Sequence, residues 1–408
     1  AYYESSRCLF CYDAPCMNAC PTGIDIPLFI RQIHTNDMDG AAKTIYDSNW
    51  LGHSCGKVCP TEVLCEGACV YNQQDIKPVE IGRLQSVASG YAIRNNKKLY
   101  ELPPDNGKKV AIIGAGPAGI AAACELRALG YTVDIFEAKE KPSGLLVHGV
   151  APYKITNEEA LDEMAYLQEQ MGFKILYESA INSEGDLKGL ETNYDAIFLG
   201  VGLGDTNLLG LLGSDRAICT GATEFIEELR MKHNHVTTPR NVLVLGGGNT
   251  AMDAASESAR LGAENVILAY RRGKEDMGAY EFEYELAKSV GVKGLFNVQP
   301  VQVVDEGVQF IRTEIVDGKV HYLEGSEFVH PCDRVIFATG QLKHTSFLHR
   351  IEGLELEHGK IVVSGWGQTT NPKYFAGGDA VNGGAEVVNG VAEGEIAAHG
   401  IHQYIFGA

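Results

Sequence analysis

Residues 110–137 read VAIIGAGPAGIAAACELRALGYTVDIFE, and this stretch decides the fold of the central part of the chain. Four apolar residues lead into Gly114-x-Gly116-x-x-Gly119, an alanine-rich segment follows, and a second apolar run ends on Glu137. This order predicts a strand, a glycine turn, a helix and a second strand. Glycines at these positions let the backbone approach a pyrophosphate at the amino terminus of the helix. The stretch therefore predicts a Rossmann-like unit that binds a dinucleotide.

The same pattern occurs again in residues 242–271. Four apolar residues lead into a second turn, Gly246-x-Gly248-x-x-Ala251, and a further helix and strand follow. A lone turn of this kind is weak evidence, but two turns, each between a strand and a helix, predict two nucleotide-binding folds. The predicted nucleotide-binding residues of the second turn are Gly246, Gly248, Asn249 and Thr250.

The two motifs differ in the residues that end their second strands. Glu137 can accept hydrogen bonds from a ribose whose 2′-hydroxyl is free, as in the adenosine half of FAD. Arg271 and Arg272 offer charge-assisted donors that suit a 2′-phosphate, as in NADPH. Alternatively, the arginine pair is a solvated strand end. We expect FAD in the first unit and NAD(P)H in the second, with NADPH preferred and NADH as the open alternative.

Each unit closes with a matching apolar strand that ends at glycine, over residues 195–202 in the first and residues 333–340 in the second. Near the carboxyl end, another apolar run leads into Gly378 and Asp379, and a helix is predicted over residues 386–404. This layout resembles that of flavoproteins with two dinucleotide-binding domains. The resemblance implies that Asp379 hydrogen-bonds the ribityl and phosphate region of the flavin, and that the first unit is split by insertion of the second.

Eight of the eleven cysteines lie within the first 69 residues. The two blocks read Cys8-x2-Cys11-x4-Cys16-x3-Cys20-Pro21 and Cys55-x3-Cys59-x5-Cys65-x3-Cys69. Thiolates at these spacings can hold iron–sulfur clusters, and the cysteine before proline ligates the other cluster in two-cluster ferredoxins. Four-coordinate zinc is an alternative. A disulfide framework is disfavoured because the chain opens without an apolar signal-peptide core, so we expect a reducing cytoplasmic setting.

The first hundred residues have the pattern of a small helical domain. Asp25 caps one predicted amphipathic helix, and a second begins near Met38. On a third predicted helix, over residues 79–92, Gln85 falls on the apolar stripe. A buried amide needs a partner, which in an arbitrary protein is usually a loop carbonyl. A turn-rich stretch over residues 102–107 ends this domain.

The formal net charge of −19 is unevenly distributed. Residues 1–100 carry nine basic and ten acidic side chains, whereas the rest of the chain carries 25 basic and 43 acidic ones. This acidic balance disfavours nucleic acid as a partner, because phosphate backbones need a basic face. No run of eighteen apolar residues occurs, so we expect no membrane span.

Together these patterns predict an α/β chain in which an all-helical iron–sulfur domain precedes two Rossmann-like dinucleotide-binding domains, the second inserted into the first. The predicted boundaries are 1–100 for the helical domain, 101–217 and 342–408 for the split FAD-binding domain, and 218–341 for the NAD(P)-binding domain.

From about Ser6 to its end, the chain resembles the amino-terminal, electron-input half of dihydropyrimidine dehydrogenase, a module that recurs in the glutamate synthase small subunit. The resemblance implies one [4Fe–4S] cluster on Cys8, Cys11, Cys16 and Cys69, and a second on Cys20, Cys59, Cys65 and Gln85, with Cys55 outside both sets. The FAD-binding residues that it implies are Gly114, Gly116, Gly119, Glu137, Gly144, Gly202, Gly378 and Asp379.

Three positions refine this resemblance. Ser143-Gly144 stands where the family commonly has a glycine pair, and Gly278 replaces a third basic residue after the arginine pair. At position 85 the glutamate synthase subunit tends to carry Glu, so Gln85 favours the pyrimidine-type module. The fit around the flavin phosphate and around a 2′-phosphate is therefore expected to differ from the family pattern.

The resemblance implies that NAD(P)H reduces FAD and that electrons pass through two clusters to a larger catalytic subunit, which would contain FMN if it is of the pyrimidine type. No catalytic side-chain set is needed, since cofactors supply the chemistry. A glutamate synthase-type or ferredoxin-directed input subunit is one alternative, and a non-enzymatic zinc-bearing interaction domain is another. A thioredoxin reductase-like enzyme would need a C-x-x-C pair beside the flavin, whereas Cys124, Cys219 and Cys332 are isolated in sequence.

Overall fold

The computed structural model describes residues 1–232 and 235–407. The chain forms two compact units, and the second interrupts the first in sequence, which confirms the predicted insertion. The first unit consists of residues 1–147, 154–203 and 343–408, and the second of residues 148–153 and 204–342. No helix among the described residues is both long and apolar enough to cross a membrane.

The amino-terminal part of the first unit is helical, as predicted. Its helices are α1 (Tyr2–Ser5), α2 (Pro15–Asn18), α3 (Ile26–His34), α4 (Met38–Tyr46), α5 (Gly52–Val58) and α6 (Ile81–Arg94), with a 3₁₀ turn over Val70–Gln74. Helix α3 begins where Asp25 accepts a hydrogen bond from the backbone N–H of Leu28 (3.0 Å), and Asp37 caps α4 in the same way. The apolar stripes of these helices form one core, which also contains Cys65.

The rest of the first unit is built on a parallel sheet with strand order β16-β4-β1-β2-β3. Its strands are β1 (Lys109–Ile113), β2 (Thr132–Phe136), β3 (Lys174–Leu176), β4 (Ala196–Leu199) and β16 (Tyr374–Ala376), beside a small hairpin of β14 (Leu356–Glu357) and β15 (Lys360–Ile361). Its helices are α7 (Pro117–Ala128), α8 (Leu145–His148), α9 (Asn157–Met171), α10 (Glu184–Asn193), α14 (Thr345–Leu348), α15 (Asp379–Asn382) and α16 (Val387–Phe406).

The carboxyl-terminal segment completes this first sheet. Strand β16 pairs in parallel with β4, with Tyr374 opposite Ile197. Helix α16 then packs on α7 so closely that a side chain at Gly394 would not fit. A Cβ at Gly394 would lie 2.2 Å from the carbonyl oxygen of Ala118. This close approach explains a glycine inside a long helix, where glycine is otherwise unfavourable.

The second unit has its own parallel sheet, with strand order β5-β13-β6-β7-β8. These strands are β5 (Cys219–Gly221), β6 (Asn241–Leu245), β7 (Asn265–Tyr270), β8 (Lys293–Phe296) and β13 (Arg334–Phe337). An antiparallel sheet, not predicted from the sequence, is formed by β9 (Val298–Val304), β10 (Gly307–Val316), β11 (Lys319–Tyr322) and β12 (Phe328–Pro331). The helices are α11 (Ala222–Lys232), α12 (Asn249–Arg260) and α13 (Glu281–Ser289), with a 3₁₀ turn over Lys274–Asp276.

The second unit begins earlier than the predicted boundary at residue 218. The backbone N–H of Gly204 donates to the carbonyl oxygen of Leu342, and that of Asn207 donates to Gly340, both at 2.8 Å. The segments that enter and leave the second unit therefore pair with each other, and both belong to it. Such pairing between residues distant in sequence has no local signal in the sequence that marks where this unit starts.

Candidate cofactor sites

The first glycine turn connects β1 to α7 and contains two kinds of glycine. A Cβ at Gly114 would lie 2.4 Å from the carbonyl oxygen of Gly200, and one at Gly119 would lie 2.0 Å from that of Gly114. Packing of the protein itself therefore requires these two glycines. At Gly116 the nearest atom would be 3.9 Å away, so nothing in the protein excludes a side chain there. The open space at this helix amino terminus is where a pyrophosphate would approach the backbone.

Glu137 follows β2 at the same edge of the sheet and is 9% exposed. One of its carboxylate oxygens accepts a hydrogen bond from the backbone N–H of Ala115, in the glycine turn, and the other accepts one from Lys139, each at 2.8 Å. A carboxylate can accept about four hydrogen bonds, so capacity remains for ribose hydroxyls. The first bond also ties the strand tip to the turn.

Asp379 reaches the same region from the carboxyl-terminal part of the chain. Its neighbour Gly378 has a φ of 75°, and a Cβ there would lie 3.1 Å from the side chain of Ala118, in the first turn of α7. The N–H of Gly378 donates to Glu393 (2.6 Å), while Asp379 accepts from the N–H of Ala385 (3.2 Å). Burial raises the pKa of Asp379. The structure thus brings Gly378 and Asp379 beside the first glycine turn.

Ser143 and Gly144 also lie against this turn. The N–H of Ser143 donates to the carbonyl oxygen of Ala115 (2.7 Å), and a Cβ at Gly144 would lie 2.9 Å from the Cα of Gly116. Ser143 has a φ of 76°, a conformation that glycine adopts more easily, which accounts for the glycine pair of the family pattern. Its buried Oγ has no partner among the described residues. An unpaired buried hydroxyl here fits a bound FAD, as does Gly202, which faces open space after β4.

Sequence reasoning missed two residues of this site, Ser143 and Glu393. Ser143 was noticed only as a departure from a glycine pair, because its unpaired hydroxyl depends on tertiary packing. Glu393 lies beside Gly394 on α16 and also accepts hydrogen bonds from the side-chain amide of Asn382. The sequence offered one signal for Glu393: it is a carboxylate directly before Gly394, a small residue that packs on α7.

The second glycine turn, between β6 and α12, repeats the design of the first. A Cβ at Gly246 would lie 2.3 Å from the carbonyl oxygen of Ala338, whereas a Cβ at Gly248 would meet nothing within 4 Å. Asn249 uses its side-chain oxygen to accept a hydrogen bond from the N–H of Tyr280 (3.0 Å), and Thr250 is exposed in the first turn of α12. The open side of the turn fits a second pyrophosphate.

Arg271 and Arg272 follow β7 at the edge of this second sheet. Their backbones are held in place, because the carbonyl oxygen of Arg271 accepts a hydrogen bond from Thr313 (2.9 Å) and that of Arg272 accepts one from Asn297 (3.1 Å). Arg271 is exposed, and the Nε of Arg272 is buried without a partner in the described part of the chain. An unpaired guanidinium N–H on a fixed backbone fits an anionic ligand.

The surroundings of this pair are mixed in charge. The exposed Glu275 and Asp276 follow closely, and Asp276 accepts a hydrogen bond from the N–H of Gly273 (3.2 Å). A Cβ at Gly278 would meet no atom nearer than 4.0 Å, so a basic side chain would have room there but is missing. A 2′-phosphate would thus contact two arginines rather than three basic residues.

Four of the eight amino-terminal cysteines line one cavity. Cys8, Cys11, Cys16 and Cys69 share it with apolar residues, among them Ala14, Ile26, Ile30, Val79 and Ile81. Burial, together with the neighbouring thiols of Cys8 and Cys69, raises the pKa of Cys16 to about 11. Thiolates are unfavourable in such an apolar space unless a cation holds them. This cavity fits the first predicted cluster.

The other cysteines form a second group. Hydrogen bonding to Cys55 and burial raise the pKa of Cys59, and Cys65 and Cys20 raise it further. Burial is also the main cause that raises the pKa of Cys65. Cys55, which was placed outside both ligand sets, is therefore a direct neighbour of this group. Among residues 1–232 and 235–407, no group of three or more His, Cys, Asp or Glu side chains is arranged around a single metal ion.

Gln85 is 6% exposed on the inner face of α6. Its side-chain Nε2 donates to the carbonyl oxygen of Gly52 (2.6 Å), so the amide has the partner that a buried amide needs. This bond holds the nitrogen end of the amide and leaves the oxygen end as a donor atom for a metal. The remaining cysteines, Cys124, Cys219 and Cys332, lie in the cores of the nucleotide-binding folds, where burial raises their pKa values.

Comparison with known proteins matches both parts of the chain. Residues 1–97 match the family described as dihydropyrimidine dehydrogenase domain II, 4Fe-4S cluster, and residues 108–394 match the pyridine nucleotide-disulphide oxidoreductase family. These matches confirm the predicted fold class and the iron–sulfur, FAD and NAD(P)H cofactors.

Three known proteins illustrate the similarity. The NAD-dependent dihydropyrimidine dehydrogenase subunit PreT of Escherichia coli K12 is 35% identical over 409 residues, covering all of this chain and 95% of that protein. The glutamate synthase [NADPH] small chain of the same organism is 33% identical over 437 residues, covering 98% and 91%. FprA of Mycobacterium tuberculosis in complex with NADPH has a TM-score of 0.61 at 18% identity, covering 75% and 85%, which shows a shared fold. The chain therefore belongs to the pyridine nucleotide-disulphide oxidoreductase family, and its amino-terminal part belongs to the family described as dihydropyrimidine dehydrogenase domain II, 4Fe-4S cluster.

Proposed function

We propose that this chain is the electron-input subunit of a dihydropyrimidine dehydrogenase. It takes electrons from NAD(P)H and delivers them to a larger, FMN-containing catalytic subunit that reduces uracil or thymine. The observation that carries this proposal is the combination of two cysteine groups with two open glycine turns in one chain, together with the full-length similarity to PreT. Bound FAD accepts a hydride from the nicotinamide ring and can release the electrons singly to iron–sulfur clusters.

In this proposal the residues of the first unit bind and orient FAD. The backbone around Gly116 receives the pyrophosphate, Glu137 accepts hydrogen bonds from the ribose, and Asp379 binds the ribityl region. Support comes from the unfilled space at Gly116 and the unpaired Oγ of Ser143. In the second unit, Gly248 and the arginine pair bind the nicotinamide nucleotide. We favour NADPH because the exposed Arg271 and the Nε of Arg272, which has no partner among the described residues, can both donate hydrogen bonds to a 2′-phosphate.

The clusters are proposed to use the two ligand sets implied by the family pattern. The first set is Cys8, Cys11, Cys16 and Cys69, and the second is Cys20, Cys59, Cys65 and Gln85. The shared apolar cavity supports the first set. The proximity of Cys20 to Cys59 and Cys65, whose pKa values it raises, and the fixed amide of Gln85 support the second set. A neutral amide in place of a thiolate makes its cluster less negative and easier to reduce.

A glutamate synthase small-chain role is the second candidate, since the similarity to that protein also covers nearly the whole chain. Gln85 favours the pyrimidine-type role.

Anaerobically purified chain should be mixed in turn with an FMN-containing pyrimidine reductase subunit and with a glutamate synthase large subunit. We expect NAD(P)H-dependent uracil reduction with the first partner and none with this chain alone. Glutamate formation with the second partner would favour the other candidate, and uracil reduction without a partner would contradict both.

A further inference from the structure

Glu163 on α9 is a fully buried carboxylate that reaches the helical domain of its own unit. One oxygen accepts hydrogen bonds from the backbone N–H of His53 (2.7 Å) and the hydroxyl of Tyr46 (3.2 Å). The other oxygen accepts from the backbone N–H of Ser54 (2.8 Å). All three donors are neutral, and no ion pair of the described residues includes Glu163.

These contacts replace a missing helix cap. Helix α5 begins after Leu51, whose side chain cannot accept a hydrogen bond, and the helix has no cap from its own sequence. His53 and Ser54 are its second and third residues, whose N–H groups an N-cap side chain ordinarily satisfies. Glu163 supplies that acceptor from a different helix, and its negative charge is favourable at a helix amino terminus.

The turn that Glu163 fixes is connected to the second cysteine group. The carbonyl oxygen of Gly52, the first residue of α5, accepts the hydrogen bond from Gln85 Nε2 at 2.6 Å. Further along the same short helix, Cys55 accepts a backbone hydrogen bond from Cys59 (3.0 Å). A shift of the first turn of α5 would therefore move the acceptor that orients Gln85 and the backbone that carries Cys59.

Glu159, on the same helix as Glu163, contacts the same helix α5 in an ordinary way. Glu159 lies one turn earlier on α9 and forms an ion pair with Lys57 of α5 (2.6 Å), with about a third of each side chain exposed. An exposed pair of this kind contributes little to stability. The anion of Glu163, in contrast, is held away from water by neutral donors only, an arrangement that requires well-fixed geometry. Burial and the nearby Glu163 carboxylate raise the pKa of Tyr46.

We propose that Glu163 is a positioning residue for the second cluster: it clamps the first turn of α5 and thereby sets the positions of Gln85 and Cys59. The inference rests on the ligand set of the proposed function and goes beyond it, because Glu163 touches none of the proposed ligands. If Glu163 has this role, helix α9 of the nucleotide-binding fold fixes the geometry of a cluster in the helical domain.

The test compares Glu163→Gln with Glu159→Gln in the whole chain, purified without oxygen. An amide at position 163 has a single acceptor atom and must turn its NH2 toward one of the two backbone N–H groups. We expect altered g values and a raised midpoint potential for the second cluster, or loss of about half the iron. The first-cluster signal and the FAD content should stay unchanged. Glu159→Gln should behave like the parent, and Glu163→Asp, which keeps the charge, should shift the same signal less.

Each other outcome contradicts the inference. If Glu163→Gln leaves both cluster spectra and potentials as in the parent, Glu163 does not position the cluster. If both clusters and FAD are lost together and the unfolding temperature falls, Glu163 is a general stability residue. Failure of the proposed function is distinguishable, because the parent protein would then itself lack a second cluster, or Gln85→Ala would leave the second-cluster spectrum unchanged.

Discussion

The two glycine turns of this protein begin their helices in a similar way but lie beside opposite charges. Gly116 and Gly248 each cap a helix in an extended conformation, with φ of −78° and −101°, and both face open space. The strand tips beside them carry Glu137 in one unit and Arg271 with Arg272 in the other. In the proposed function, either glycine turn binds the pyrophosphate of a dinucleotide, and the residue at the strand tip selects which dinucleotide binds.

The largest expected effect is on stability, at the third glycine position of each motif, which is Gly119 in the first turn and Ala251 in the second. Gly119→Ala would bring a Cβ to 2.0 Å from a backbone oxygen, and overpacking against backbone should lower the free energy of unfolding by about 3 kcal/mol or more. The second turn already has Ala251 at the matching position, buried without difficulty. Ala251→Gly should cost only about 1 kcal/mol, the usual cost of glycine in a helix. Urea unfolding of the two variants measures both effects.

If the two substitutions lower the free energy of unfolding equally, the two turns do not differ in packing at this position, and the prediction is wrong. A gain in stability from Gly119→Ala would show that the contact with the Gly114 carbonyl is not present in solution.

The middle position should affect ligands rather than folding. Gly116→Ala and Gly248→Ala introduce a methyl group at negative φ with no close neighbour, so the cofactor-free protein should unfold like the parent. The methyl group would occupy the approach of the pyrophosphate. We expect Gly116→Ala to lower FAD content and Gly248→Ala to weaken the nicotinamide nucleotide about tenfold or more, a change of about 1.4 kcal/mol or more. Flavin absorbance and calorimetric titration measure the two losses.

Each variant is the control for the other. If Gly116→Ala weakens nucleotide binding and Gly248→Ala releases FAD, the assignment of the two turns is reversed.

The strand tips should produce a more selective effect. Arg272→Ala removes a guanidinium whose Nε has no partner among the described residues, and a lost charge-assisted contact is worth about 1.5 to 3 kcal/mol. The dissociation constant of NADPH should therefore rise about 10- to 100-fold, while that of NADH changes little. Arg240→Ala is the matched control, because Arg240 pairs with Glu264 at the opposite end of the strands. Equal weakening of NADH and NADPH would remove the preference for NADPH.

The sequence predicted those features whose physical signal is local. The cap at Asp25, the apolar stripes and the strand–glycine–helix order each arise within about ten residues, and the structure confirms the helices and strands. The split of the first fold was also predicted, because the carboxyl-terminal run that leads into Gly378 and Asp379 resembles that of flavoproteins with two dinucleotide-binding domains, and β16 does pair with β4.

Features that depend on contacts between distant residues were missed. The four antiparallel strands of the second unit and its start at Gly204 depend on pairings with later segments. The unpaired hydroxyl of Ser143 and the cap that Glu163 gives to α5 exist only after several elements have packed.

The most direct test of the account follows electrons through the protein. The chain should be purified without oxygen, titrated with NADPH and separately with NADH, and followed by flavin absorbance and low-temperature electron paramagnetic resonance. The account predicts bleaching of the flavin followed by the signals of two reduced clusters, with about eight iron atoms per chain. Bleaching of the flavin with no cluster signal, or a protein that contains stoichiometric zinc and no iron, would contradict it.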